Sequence, residues 1–147
     1  MGGQLPHLGE ALSLHARLTP EKIGAADLNR QMTFRQWNER ARRLGNALRG
    51  LGLARGDRVA VLAYNAVEWL ETYPATAKAG LVAVPINFRL VPAEIAYIVT
   101  NAEARAFIVE DVLAERVEGI RKDMPVAQDR YVAFGADSAK TGMRAYE

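Results

Sequence analysis

The chain has 147 residues, half of them hydrophobic, 24% charged and 7% aromatic, with 19 Lys and Arg against 17 Asp and Glu. These are the proportions of one soluble globular domain, and they exclude a disordered tail and a fibrous repeat. Cysteine is absent, which removes disulfide scaffolds, thiolate nucleophiles and Cys-ligated metals together; the interspersed charges announce no polyelectrolyte partner.

Met1 to Pro6 carries no basic n-region, no apolar h-region and no myristoylation signal, so the default expectation is a cytoplasmic protein. Leu8 to Leu18 reads as an amphipathic helix ended before Pro20, with Leu8, Ala11, Leu12 and His15 on one side. A hairpin follows, with arms Ile23–Ala26 and Arg30–Met32 turning through Asp27-Leu28-Asn29. Thr33 and Gln36 form a capping box, and Met32 with Trp37 can close a hydrophobic staple over it. Phe34, Trp37, Ala41, Leu44, Leu48 and Leu51 then line one face of a helix that Gly50 and Gly52 stop.

Beyond this helix, strand and helix alternate. Short apolar runs at Arg58–Ala63, Leu81–Ile86, Arg105–Val109 and Arg130–Phe134 are separated by helical segments at Asn65–Lys78, Pro92–Ala102 and Val112–Lys122. Strands joined by crossover helices must be parallel, which predicts an α/β fold with a mostly parallel sheet. The first two runs are nearly continuous in apolarity, so both faces of each are expected to be covered. Asn65, with Glu68 three residues on, is expected to cap its helix, and Pro74 to kink or break it. Residues 136–147 are small and polar and are expected to be loosely held. The longest apolar run, Ala79–Ile86, is far short of a membrane span.

The junction Val61-Leu62-Ala63-Tyr64-Asn65 has no glycine, which argues against a dinucleotide site. Gly135 to Gly142 fails as a P-loop because Ala139 stands where glycine is needed before the lysine. His7 and His15 lack metal-ligand spacing and read as helix-surface residues. Arg35, Arg42 and Arg49, with Arg40 and Arg43, make the 33–52 helix basic; the pattern fits a solvated outer face, with Glu39 and Arg43 as an i,i+4 pair, better than a nucleic-acid surface. No nucleophile, acid-base pair or metal cluster emerges.

Several strings in fixed order carry a resemblance. They are Met32-Thr33-Phe34, Leu51-Gly52-Leu53-Ala54-Arg55-Gly56-Asp57-Arg58-Val59-Ala60-Val61, Asn65-x-x-Glu68, Lys78-Ala79-Gly80-Leu81-Val82-Ala83-Val84-Pro85-Ile86-Asn87-Phe88-Arg89-Leu90 and Glu94-x-x-Tyr97-Ile98. Together, over roughly Leu8 to Phe134, the chain resembles the N-terminal portion of the AMP-forming acyl-CoA synthetases. In physical terms Gly56-Asp57 turns the chain into its strand, Gly80 ends the crossover helix, Pro85 is expected to end the second strand's pairing, and Glu94 suits a first helical turn.

The resemblance implies an incomplete large N-terminal domain, read as one region over 1–147, in a ligase that activates a carboxylic acid with ATP and Mg²⁺ and forms a coenzyme A thioester. It places Arg89 where some acyl-CoA ligases contact the nucleotide phosphates of coenzyme A; an ordinary surface arginine is the alternative. The family's phosphate loop, adenine motif, ribose-binding Asp and C-terminal-domain Lys have no match here, so the chain is expected to be inactive by itself and to bind none of these cofactors alone. The competing expectation is a non-catalytic α/β interaction module that forms homo-oligomers through exposed apolar surface.

Overall fold

The computed structural model describes residues 7–147, and the reading of Met1–Pro6 lies outside them. The chain, read above as one region, packs as two compact units interleaved in sequence: 7–50 with 65–80, and 51–64 with 81–147.

The first unit contains α1 (Leu8–Leu18), the antiparallel hairpin β1 (Ile23–Ala26) and β2 (Gln31–Thr33), α2 (Phe34–Gly50) and α3 (Val67–Ala79). The capping box forms as expected, since the Gln36 side chain accepts from the Thr33 amide at 2.9 Å and the Thr33 hydroxyl from the Gln36 amide at 3.2 Å. Trp37 packs on Met32, Ala25 and Val67, completing the staple. Ala41, Leu44, Gly45 and Leu48 form the buried face of α2, and α2 packs most extensively on α3. At Gly45 an added Cβ would lie 3.0 Å from the Ala75 carbonyl oxygen, so the two helix backbones approach as closely as only glycine allows.

On α1 the buried side differs from expectation: Gly9 and Leu12 are inside, while Leu8 and His15 are exposed. Lys78 sets this face by laying its stem against Gly9 and donating to the Gly9 carbonyl at 2.7 Å and to the Ser13 hydroxyl. His7 caps α1, its Nδ1 accepting from the Glu10 amide at 3.3 Å, and His15 stacks on Phe34 with centroids 4.9 Å apart.

Two interactions in this unit replace those expected for α3. Asn65 does not cap it; the helix starts after Ala66, and its first amide, Val67 N, donates to Asp27 Oδ2 at 3.2 Å. The other Asp27 oxygen accepts from the Asn29 and Arg30 amides, both at 2.8 Å, so one carboxylate closes the hairpin turn and caps a helix 40 residues away. Nor does Pro74 break α3, which runs through it. Proline deprives the carbonyl four residues back, that of Leu70, of its helical donor. The Trp37 indole supplies a replacement, donating to Leu70 O at 2.6 Å.

A buried charge joins α2 to α3. The Glu71 carboxylate is fully enclosed and is met by Arg40 Nε at 2.5 Å and Nη2 at 3.2 Å, with Arg30 at 3.5 Å. Arg30 also pairs with Glu68 at 2.5 Å, yet burial still pushes the Glu68 carboxyl above its usual range. Such a cluster is held together by the penalty of leaving any one member unpaired.

The second unit is a five-stranded, wholly parallel sheet in the order β4-β3-β5-β6-β7, comprising β3 (Arg58–Leu62), β4 (Val82–Ile86), β5 (Ala106–Glu110), β6 (Tyr131–Phe134) and β7 (Arg144–Ala145). With α4 (Pro92–Asn101) and α5 (Ala114–Glu118) it encloses a core that includes Leu62, Ile95, Val99, Phe107, Val109, Val117 and Tyr131. Burial there pushes the Tyr131 phenol up to about 12. Pro92 opens α4, and the Glu94 carboxylate accepts from the Val91 amide at 3.0 Å.

Three expectations are corrected in this unit. β3 is buried from Val59 through Leu62, but β4 is an edge strand with Val82 and Pro85 exposed, so its faces are not both covered. Pro85 does not end the pairing either, because the register continues through Val61↔Pro85 to Leu62↔Ile86. Val82 N donates inward to Asp57 O at 2.9 Å, and the two-residue strand period then turns Val84 and Ile86 inward and Ala83 and Pro85 outward. Proline's missing N–H therefore falls on the open side, where it costs no ladder bond. The third segment is not one helix from 112 to 122 but a 3-10 turn, the short α5 and a second 3-10 turn. Asp111 spends its carboxylate on the Val112 and Asp137 amides, Val112 is 67% exposed, and Gly119 follows α5, so little burial supports a longer helix. Residues 136–147, expected to be loosely held, contain a 3-10 turn at Ser138–Thr141 and the short β7.

Two predictions follow from the first unit. The amide bonds hold the Asp27 carboxyl below its usual value, so the stabilisation it provides is complete above its unfolded value of about 3.9 and is lost as pH falls through the lower folded value. Asp27→Asn keeps one acceptor for the turn but loses the charge, and the urea midpoint should fall less steeply than that of the unsubstituted chain on acidification below about pH 5. Trp37→Phe should cost about 1 kcal/mol by leaving Leu70 O without its donor. In a Pro74→Ala background, where residue 74 regains its N–H, the same substitution should cost measurably less, as read by a double-mutant cycle of urea unfolding.

Candidate functional site

A parallel sheet brings the carboxyl ends of its strands to one edge, and open α/β folds bind ligands outside that edge where the strand order reverses. Here the chain passes from β3 to β4 on one side, then skips β3 to reach β5 on the other, so the reversal lies between β3 and β5. The residues leaving those strands are Ala63-Tyr64 and Glu110-Asp111, and the chain leaves the adjacent β4 at Asn87.

These exits are tied together by named bonds. Glu110 Oε2 accepts from the Tyr64 amide at 2.7 Å, bridging the reversal point. The Tyr64 ring packs at 59° to Phe88 with centroids 4.8 Å apart. Asn87 to Leu90 forms a tight turn in which the Leu90 amide donates to Asn87 O at 3.1 Å and the Arg89 amide to Asn87 Oδ1 at 2.9 Å. Arg116, from α5, donates through Nη1 to the Phe88 carbonyl at 2.6 Å. At the β6 exit, Asp111 Oδ2 accepts from the Asp137 amide at 2.6 Å, and Gly135 adopts φ +111°, where any Cβ would overlap the Asp111 carboxylate.

Arg89, the one site residue expected from the sequence, stands exposed on this edge. Its guanidinium lies 5.4 Å from the Phe88 ring centroid and makes no ion pair among the described residues. A guanidinium in that setting can receive a phosphate or carboxylate in bidentate fashion, and the aromatic face beneath it restricts its rotamers without consuming its donors. Tyr64, Glu110 and Arg116 were not singled out from the sequence. The rule that sites gather at strand ends points to Tyr64 and Glu110 once the strands are assigned, but nothing local marks Arg116, whose partner is 28 residues away.

On α2, Arg35 pairs with Glu21, Arg43 with Glu39 and Arg40 with Glu71, while Arg49 donates to the Ala79 carbonyl at 3.2 Å. Lys140 pairs with Asp137 at 2.6 Å inside a 3-10 turn rather than opening a helix, as the rejection of a P-loop anticipates. A shallow depression of about 360 Å³ along α4, lined by Ala93, Ala96, Tyr97, Thr100 and Asn101, has no charged residue in its lining. Among the described residues no group of His, Asp and Glu is placed to hold a metal ion, and no helix is long and apolar enough to cross a membrane.

Comparison with known proteins extends this geometry. Residues 12–145 match the family model described as AMP-binding enzyme. The chain is 34% identical over 137 residues to a fatty acid–[acyl-carrier-protein] ligase, ScoC, of Streptomyces coeruleorubidus, covering 92% of this chain and 26% of that protein. It is 40% identical over 115 residues to a long-chain-fatty-acid–CoA ligase of Thermus thermophilus, covering 78% of this chain and 21% of the relative. Among solved structures, an anthranilate CoA ligase, AuaEII, in complex with anthranoyl-AMP superposes with a TM-score of 0.84 at 33% identity, over 89% of this chain and 26% of that one. The chain thus spans only about a fifth to a quarter of the length of the curated relatives it matches.

Proposed function

The chain belongs to the AMP-binding enzyme family, and from that premise we propose that it supplies the N-terminal part of an AMP-forming acyl-CoA ligase. In such an enzyme a carboxylate attacks the α-phosphate of ATP, pyrophosphate leaves, and the thiol of coenzyme A then attacks the acyl carbon and releases AMP. Mg²⁺ would neutralise charge on the triphosphate during the first step. This chain's contribution is scaffolding plus one ligand contact: the parallel sheet holds Arg89 at its carboxyl edge, where the guanidinium receives the nucleotide phosphates of coenzyme A. No residue of the chain is assigned to ATP or to the metal.

The observation that carries the reading is the family match over residues 12–145, taken with relatives named as acyl-CoA and acyl-carrier-protein ligases. The exposed Arg89, steadied by Phe88 and without an ion-pair partner among the described residues, favours coenzyme A as the acceptor. A carrier protein's phosphopantetheine arm offers a single phosphodiester, whereas coenzyme A adds the further phosphates of its nucleotide for the guanidinium to grasp.

In the full-length ligase that carries this segment, Arg89→Ala should raise the KM for coenzyme A by about tenfold, the loss of one charge-assisted contact, while ATP–pyrophosphate exchange and the KM for pantetheine stay unchanged. Unchanged coenzyme A dependence would remove Arg89 from the site. The 147-residue chain by itself should show no exchange with any carboxylic acid.

A further inference from the structure

The turn that presents Arg89 is held in an unusual way. A peptide group is planar, so fixing the directions of its C=O and its N–H together fixes the plane from which the next Cα departs. The peptide joining Phe88 to Arg89 is gripped at both ends: its C=O accepts from Arg116 Nη1 at 2.6 Å, and its N–H donates to Asn87 Oδ1 at 2.9 Å. Asn87 O and Leu90 N satisfy each other across the turn at 3.1 Å. The Phe88 ring is wedged against Tyr64 and lies under the Arg89 guanidinium.

Of these restraints, only the bond from Arg116 ties the turn's backbone to a distant element. Asn87 belongs to the turn itself and would follow any movement of it. Arg116 projects from α5, whose Val117 is fully buried in the core of the second unit, so its backbone is a fixed reference point. Its side chain is exposed and touches the turn through a charge-assisted bond to a carbonyl. An arginine spent on a single main-chain oxygen of an exposed loop does little for the core.

From this geometry we propose that Arg116 is a positioning residue for Arg89: by holding the Phe88–Arg89 peptide plane it aims the Arg89 side chain at the phosphates of the incoming coenzyme A. The inference rests on the coenzyme A reading above and adds the residue that preorganises that contact. Preorganisation of this kind lowers the ordering cost of binding, so its loss appears in affinity for the ligand and not in the chemistry of the acid.

Two measurements test it. In the 147-residue chain, amide exchange at Arg89 and Leu90, followed by NMR, should accelerate in Arg116→Ala and be partly restored in Arg116→Lys, which keeps a cationic donor. In the full-length ligase, Arg116→Ala should raise the KM for coenzyme A by about fivefold with kcat at saturation and ATP–pyrophosphate exchange unchanged, and Arg116→Lys should recover part of the loss. Unchanged exchange at the two amides overturns the grip on the peptide plane. If Arg89→Ala raises the KM for coenzyme A and Arg116→Ala does not, the positioning role falls and the Arg89 reading stands. An equal loss of ATP–pyrophosphate exchange in Arg116→Ala shows a general structural role and also overturns the proposal. If Arg89→Ala leaves the KM for coenzyme A unchanged, the underlying reading fails and this inference with it.

Discussion

A fully buried strand must find a partner for every backbone N–H and C=O within its sheet, and β3 meets that demand on both sides at once, with β4 along one edge and β5 along the other. Parallel pairing on both sides makes the chain leave β3, β4 and β5 at the same edge and return by crossovers. The reversal of strand order beside β3 is thus a consequence of how its ladder is satisfied. Tyr64, Arg89 and Glu110 lie near one another because each ends or follows a strand of that ladder, although the sequence separates them by more than 20 residues. Shifting β4 by one residue would turn every side chain of the strand to the other face and move the Asn87–Leu90 turn with it.

The first unit depends on substitution of another kind, in which side chains stand in for missing backbone partners. Asp27 supplies the acceptor that Ala66 cannot offer at the start of α3, and Trp37 supplies the donor that Pro74 lacks. Both stand-ins come from the hairpin and α2, so they serve as contacts between elements as well as satisfying isolated polar groups. With Arg40 and Arg30 on Glu71, polar bonds specify how α3 sits on its neighbours, and apolar contact at Ala41, Gly45 and Ala75 fills the space that remains. Apolar packing alone tolerates rotation or sliding of a helix more readily than a bidentate arginine or an indole hydrogen bond does.

What could be read from the sequence divides along the same line. The capping box at Thr33 and Gln36, the Asp27 turn and Pro92 at the start of α4 were legible because each signal and its partner lie within a few residues. Strands β1 to β6 were placed within a residue of their ends because apolar, β-branched runs bounded by turn residues are local features, whereas the two-residue β7 carries no such run and was not anticipated. The cap of α3, the donor that answers Leu70 O beside Pro74 and the buried side of α1 were not, since Asp27, Trp37 and Lys78 act from 33 to 69 residues away. The openness of β4 was hidden because apolarity reports a strand's composition, not its place in the sheet. Of the site, Arg89 was reached through family resemblance. Arg116 was out of reach, because the orientation of a single carbonyl decides its role.

The outward row of β4 presents the carbonyl oxygens of Ala83 and Pro85 but only the Ala83 amide as donor. Sheets that grow indefinitely, as in fibrils, need donors and acceptors in equal number along the joining edge. A strand arriving here would leave an acceptor of its own unanswered opposite Pro85, in either direction of approach. An exposed, β-branched edge of this sort is otherwise the template on which misassembly begins. One imino acid placed on the outward phase of the pleat removes a donor from this edge of the described sheet, at no cost to the ladder within.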